Sequence, residues 1–353
     1  MEVTYQRKEV RHCSKSKYVQ KVTVTNVKPA ENSDNLDVIN FKESGYQAVV
    51  KRGEFKVGDK VGFIPPESVL PFELSEALGV TNYLGHGKVK VAILRKNRSE
   101  GLVVDWKIVE PYLDYILQWE DLPTTQMQGN ALARKFTPHT FVQFFKMPNL
   151  MNEPYTFNIG EKVYYSEKIH GTNGRMAAMV NPALKQHWLA KLYRKIMKIS
   201  QYQLYVGSHE VVLQKSEKNL YWKVVLKALE KVKMPEDYIF FFEAHGLGVQ
   251  KNFEYGLKTQ VLKVFALWSN WHYLNQRIAQ KTCECIGLPF VTIHEETFQG
   301  LEWAKAKANE PSELYDGIRE GIVIVSAENP DKMAKVIGDQ YLANKKEDTT
   351  ERH

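Results

Sequence analysis

Three stretches of the chain put a charged side chain where hydrophobic patterning would bury it. The first is Ser166-Glu167-Lys168-Ile169-His170-Gly171-Thr172-Asn173-Gly174-Arg175, entered through the strand-like run Val163-Tyr164-Tyr165. A lysine at the end of a buried strand loses hydration, and nearby cations lower its pKa further, so its amine becomes usable as a nucleophile. Gly171 allows a sharp turn just beyond it. The second stretch is Tyr238-Ile-Phe-Phe-Phe242-Glu243-Ala-His245-Gly246, an apolar strand that ends in a carboxylate. An unpaired buried charge is costly, so Glu243 needs a partner or a chemical task. The third is Arg319-Glu320-Gly321-Ile322-Val323-Ile324-Val325, where a carboxylate opens a β-branched strand, followed by Lys332 and Lys335. Taken singly, K-x-x-G and E-G-x-V are weak signals, and a lysine in an edge-strand turn is the commoner meaning of the first. Their order along the chain is what carries weight.

The elements that must position these residues divide in two. A chain of 353 residues has room for two domains with separate cores. From Val19 onward short strands alternate with turns: Val19–Val27, a hairpin of Leu36–Phe41 and Tyr46–Val50 around Gly45, then Val61–Ile64. A final pair, Val89–Leu94 and Gly101–Val104, brackets the polar Arg95–Ser99. Five or so short strands in about a hundred residues predict a small closed β-barrel of the OB type over residues 1–122. On it Lys51, Arg52, Arg95, Lys96 and Arg98 are equally well read as a phosphate-tracking face or as solvated loop charges. The stretch from Tyr112 to Lys135, with Pro123 and Gly129, reads as linker, centred on 123–135. The second domain spans 136–345, and 346–353 form a polar tail expected to be disordered. Within this domain Pro182–Ser200 is an amphipathic helix, whose Lys185, Lys191, Arg194, Lys195 and Lys198 fit a solvated face better than an RNA-binding one.

Composition narrows the function classes. A net charge of +7 suits a polyanionic partner, and 12% aromatics suit base stacking as well as ordinary cores. Cys13, Cys283 and Cys285 make no disulfide framework and lack zinc spacing, so a reducing, intracellular setting is the default. No apolar run approaches membrane-spanning length, and the expectation is a soluble protein without a membrane partner. No G-x-x-x-x-G-K-[ST] occurs, which removes P-loop ATPases.

The motif order resembles that of the covalent nucleotidyltransferases, the superfamily of ATP-dependent ligases and capping enzymes. Lys168-Ile-His170-Gly171-Thr172-Asn173 is similar to motif I in the form RNA ligases use. The resemblance implies an α+β protein, an OB-like barrel followed by an adenylation domain (ATP-grasp-like) of antiparallel sheets with flanking helices. It implies that Lys168 attacks the α-phosphate of ATP and carries AMP. Glu167 matches a glutamate of the nucleotide pocket, and Asn173 an asparagine near ribose and phosphate. Glu243 matches motif III, which typically binds the ribose hydroxyls and is counted here with the metal site as well. Phe265, preferred over Trp268 in the strand Val261–Trp268, matches the aromatic that stacks on adenine. Glu320 matches motif IV, which holds Mg²⁺ or Mn²⁺, and Lys335 the motif V lysine that neutralises the α-phosphate. Two departures stand out: Ser208-His209 replace an arginine common in motif Ia, and Ile337 replaces a second motif V lysine.

The barrel-first order resembles a nick-sealing, Deinococcus-type subgroup of RNA ligases. That implies a monomer acting on RNA or on a nicked duplex with RNA on the 3′-hydroxyl side. The competing readings are a capping guanylyltransferase using GTP, a DNA ligase, and a non-catalytic RNA-binding protein on a nucleotidyltransferase fold.

Overall fold

Alternating burial along Gln20–Pro29 and Leu36–Phe41 sets the first sheet, since every second side chain points to one face. The computed structural model describes residues 19–84, 87–118, 138, 140–180, 195, 202–236, 238–250 and 253–344. The expected linker at 123–135, the helix at 182–200 (apart from residue 195) and the tail at 346–353 lie outside the described residues. The chain divides into two compact units between residues 124 and 125, with residues 151–154 joining the first. Among the described residues no helix is long and apolar enough to cross a membrane.

In the first unit, β1 (Gln20–Pro29), β2 (Leu36–Phe41), β3 (Gln47–Lys51), β4 (Lys60–Ile64) and the short β5 (Ser68–Val69) come first. They are followed by β6 (Val91–Leu94), β7 (Asn97–Glu100), β8 (Leu102–Val104) and β9 (Leu117–Gln118). An antiparallel sheet runs β3-β2-β1-β4-β8. Side chains of β7 reach back to the far edge: Ser99 Oγ accepts from Val49 N at 3.0 Å and Glu100 Oε2 from Gln47 N at 3.1 Å. The sheet thereby curls close to closure around Phe63, on which Phe41 and Tyr46 pack, a form consistent with an OB-like domain. Gly101 makes the crossing from β7 to β8 possible. Its φ is +92°, and a Cβ there would strike the Ile64 carbonyl and sit 2.8 Å from the Phe63 ring.

Two sequence expectations change here. Asn97–Glu100, read as part of a polar connector, is a strand, because its polar Ser99 and Glu100 are buried against β3 rather than solvated. Tyr112–Gln118, read as the start of the linker, is a 3₁₀ turn and a strand, with Leu113 and Ile116 buried in the first core.

In the second unit β10 (Lys162–Glu167), β11 (Thr172–Val180), β12 (Tyr202–Ser208), β13 (Ile239–Gly246) and β14 (Gln260–Ser269) lead to β15 (His272–Tyr273). Then come β16 (His294–Thr297), β17 (Gly321–Ser326) and β18 (Met333–Ile337). They form two antiparallel sheets, β16-β10-β17-β18 and β12-β11-β13-β14-β15. The run Ile239–Phe242 is apolar throughout because both faces of β13 are covered. Phe240 and Phe242 point to the helices Leu220–Ala228 and Gln276–Ile286. Ile239 and Phe241 point to the other sheet, against Val325 and Met333. The helix Leu301–Ala308 covers the outer face of the four-stranded sheet. The described second unit is therefore α+β, with sheets face to face and helices outside.

Candidate active site

Lys168 follows directly on β10, in the middle of the four-stranded sheet. Its N–H donates to Gly321 O at 2.9 Å, which tethers it to the neighbouring β17. Glu320, just before β17, is thereby brought alongside. Lys168 Nζ donates to Glu320 Oε1 at 2.7 Å, and His170 Nδ1 lies 3.2 Å from Oε2. Tyr341 Oη stands 3.3 Å from the same imidazole nitrogen. Burial alone would raise the Glu320 pKa; the Lys168 ammonium and His170 outweigh it and hold the carboxyl down to about 2.

Glu243 lies across the sheets. Its β13 position pairs with Asn173 on β11 and with Lys263 on β14, so these three residues form one row across three strands. Burial pushes the Glu243 carboxyl up to about 8; Lys168 opposes that rise and Glu320 adds to it. The site thus holds two carboxylates driven apart in acidity by their surroundings, with the charge of one lysine acting on both.

Gly171 is needed for a reason other than the turn expected of it. Its backbone does not take a positive φ. A Cβ would instead collide with the Ala244 carbonyl and come within 2.9 Å of Glu243 Cγ. Close passage of the loop over β13 is what demands glycine. Distant side chains hold the same loop: His170 N–H donates to Tyr255 Oη at 2.6 Å, and Gln250 Nε2 donates to Gly171 O at 2.9 Å. Thr172 and Tyr221 share a hydroxyl hydrogen bond of 2.6 Å.

Phe265 occupies a β-bulge. Phe241 pairs with Ala266 and Phe242 with Val264, which leaves Phe265 unpaired between them. A bulge re-aims a side chain. Here the ring packs edge-on against Phe144 at 5.0 Å and also joins the cluster containing Ile169 and Tyr255, beside the lysine. Trp268, farther along β14, packs on Tyr273.

Glu167 is turned away from an open role by its contacts. Oε1 accepts from Ser312 Oγ and Oε2 from the Glu313 N–H, both at 2.7 Å, so this carboxylate pins the 312–313 loop. Lys335 lies mid-strand on β18, opposite Val323, on the sheet face that also carries Ser166. Lys332 is committed elsewhere, 2.7 Å from Glu161 and over the Phe157 ring, at the end of β18 away from Lys168. Ile337 stands at the site end, opposite Gly321.

Two residues were not singled out from the sequence. Arg175, buried on β11, donates from Nη1 to the carbonyls of Ser208 and His209 at 2.9 and 2.6 Å and rests on Phe141. It brings a guanidinium to the segment that lacks one of its own, and burial lowers its pKa to about 10. Lys263 was legible from period-two counting back from Phe265; burial lowers its pKa, while Glu167 and Glu313 counter that. Among the described residues no set of three metal-ligating side chains converges.

On the first unit, Lys51 is exposed at the end of β3. Arg52 is bound to Asp37 and to the carbonyls of Ser33 and Leu36. Arg98 is paired with Glu100 at 2.9 Å. Arg95 and Lys96 form the exposed turn between β6 and β7.

A family model described as RNA ligase matches residues 161–337, half of the chain and the whole run from β10 to β18. The chain belongs to the RNA ligase family. Among curated proteins none matches it. Several solved structures are similar to this RNA ligase family member over nearly their full length. Naegleria gruberi RNA ligase, as an alanine mutant of a lysine with ATP and Mn, is 18% identical with a TM-score of 0.72, covering 92% of this chain and 98% of that one. The same enzyme with PPi gives 18% and 0.70, covering 93% and 98%. A glutamate-to-alanine mutant with AMP and Mn gives 18% and 0.71, with the same coverage. At this identity the likeness establishes a shared fold.

Proposed function

We propose that this RNA ligase family member is ATP-dependent and joins a 3′-hydroxyl to a 5′-phosphate through a Lys168-AMP and an AMP-capped RNA end, sealing nicks whose 3′-hydroxyl side is RNA. The observation that carries the reading is the pairing of Lys168 Nζ with Glu320 at 2.7 Å, on a loop that passes directly over Glu243 at Gly171. A lysine so enclosed is held at one point, and its ammonium is released only when Glu320 is otherwise engaged. The Naegleria structures with ATP and Mn, AMP and Mn, and PPi support the choice of nucleotide.

The residues fit a divalent cation, Mg²⁺ or Mn²⁺. The charges of Glu243 and Glu320 act on one another, and a bound cation would offset the cost of burial that keeps Glu243 protonated. When bound, such a cation supplies charge neutralisation at the phosphate oxygens and favours the neutral amine of Lys168. In the first step Lys168, once its ammonium has lost a proton to water, forms the N–P bond with the freed lone pair as the bond to pyrophosphate breaks. A second proton leaves the nitrogen to give the phosphoramidate. Lys335 neutralises charge on the α-phosphate, Asn173 offers an amide to ribose or phosphate, and Phe265 stacks on adenine. Glu243 takes the ribose hydroxyls or shares the cation, and Glu167 positions Lys168 by fixing the 312–313 loop. Most of the rate advantage then comes from in-line placement and charge compensation.

The test is incubation with a divalent cation and α-labelled ATP or GTP, followed by a denaturing gel. A protein band labelled from ATP and lost in Lys168→Ala is the expected result. Label from GTP alone would move the protein to capping, and no label from either would leave a binding protein on this fold. Sealing of matched nicks with RNA or DNA 3′ ends then separates RNA from DNA ligase activity.

A further inference from the structure

The β6–β7 hairpin turns through only two residues, Arg95 and Lys96, with φ of +51° and +72°. Both positions are left-handed, as in the type I′ turn that Asn-Gly adopts without penalty. Two long β-carbon-bearing cations are an unfavourable choice for it. The turn is nonetheless held firmly by its neighbour. Asn97 Nδ2 donates to the carbonyls of Glu31, Leu94 and Arg95 at 2.6, 3.3 and 3.0 Å, and Asn97 Oδ1 accepts from Glu31 N at 2.9 Å. Strain kept in place by a dedicated clamp points to the side chains it displays.

Arg95 and Lys96 are exposed, with no ion-pair partner among the described residues. Next to them Ile93 is 62% exposed and Leu94 41%, one on each face of the two-stranded ribbon. Arg52 and Arg98, the other arginines of this region, are turned onto Asp37 and Glu100. The cationic tip is therefore set apart from charges that serve the fold. Two adjacent cations turned away from the protein's carboxylates match successive phosphates along a nucleic-acid strand.

We propose that the β6–β7 tip is an RNA-docking element: Arg95 and Lys96 each take a backbone phosphate of the duplex, with the tip laid across its shallow minor groove. This rests on the ligase reading above. Recognition of this kind depends on shape and charge and is indifferent to sequence.

The experiment compares the full chain with its Arg95→Asn, Lys96→Gly variant, whose turn is the favoured one and which folds at least as well. Binding of a nicked RNA duplex is followed by fluorescence anisotropy across a range of KCl concentrations, and ATP labelling of the protein is measured without RNA. Loss of two phosphate contacts makes the slope of log affinity against log salt shallower by about 1.8, and weakens binding on the order of tenfold at physiological salt. The labelling and the melting temperature should not fall. Equal affinity and slope in the two proteins, with the wild type labelled normally, would overturn the docking element and leave the ligase reading intact. An unlabelled wild type would overturn that reading instead, and the tip would still stand or fall on the affinity comparison. Binding that weakens without any change of slope would also refute it, because phosphate contacts must release counterions.

Discussion

Replacing Glu243 with glutamine should stabilise the ligand-free protein at alkaline pH while damaging its chemistry. The Glu243 carboxyl sits at about 8 in the folded chain because burial disfavours its charge. In an unfolded chain the same group titrates near 4.3 by the usual reference for glutamate. Between those values the folded state holds a proton that the unfolded state has released, so stability falls as pH rises. The limiting slope is about 1.4 kcal/mol per pH unit. Over the window it would total about 5 kcal/mol for a fully dehydrated group. Glu243 is half-buried, and solvent screening reduces the expected difference to about 1–3 kcal/mol. Glutamine copies the neutral shape and has nothing to titrate. Urea unfolding of both proteins at pH 5 and pH 8.5 should give nearly equal stabilities at pH 5 and a more stable variant at pH 8.5. Added Mn²⁺ should stabilise the wild type more than the variant at pH 8.5, through linkage to binding. Parallel curves for the two proteins across this pH range, or a less stable variant at pH 8.5, would show that Glu243 is not held protonated by burial and would remove the argument for a cation there.

Three further outcomes follow from the geometry. Gly171→Ala forces a methyl onto the Ala244 carbonyl; a loss of about 1–3 kcal/mol in thermal or urea unfolding is expected, together with weak ATP labelling, and a fully active, equally stable variant would refute the close-passage account. Lys335→Ala should reduce labelling about 100-fold or more, as loss of a transition-state charge partner does, whereas Lys332→Ala should leave labelling intact and cost at most about 1 kcal/mol from its pair with Glu161; equal defects in a labelling time course would contradict the division. Tyr255→Phe leaves the His170 N–H without its 2.6 Å acceptor, at an expected cost of about 1–3 kcal/mol, and unchanged stability with unchanged labelling rate would mean that the loop is held by its other contacts alone.

Much of the site was legible from local patterning, because a strand exposes alternate residues to alternate faces and a charge at its end has few places to go. Lys168 after β10, Glu243 near the end of β13 and Glu320 before β17 could each be found that way, and the motif order linked them before any distance was known. The order of the two units and the antiparallel strands of the first could be read from turn residues and alternation. What the sequence could not disclose was partnership across the chain. That Ser312 and the Glu313 N–H take both oxygens of Glu167 was not visible in the run around Lys168. Arg52 and Arg98 looked equivalent to Arg95 until Asp37 and Glu100 neutralised them. Phe265 was preferred over Trp268 from the sequence, but the bulge that brings its ring into the cluster with Ile169 was not visible there. Gly171 looked like a turn residue, and it is the Ala244 carbonyl on another strand that excludes a side chain there. Strand periodicity is a property of neighbours in sequence and is written in it. Ion pairing, bulge placement and close backbone passage join residues far apart in the chain, 152 positions for Lys168 with Glu320 and 171 for Lys332 with Glu161, and only the folded chain decides among them.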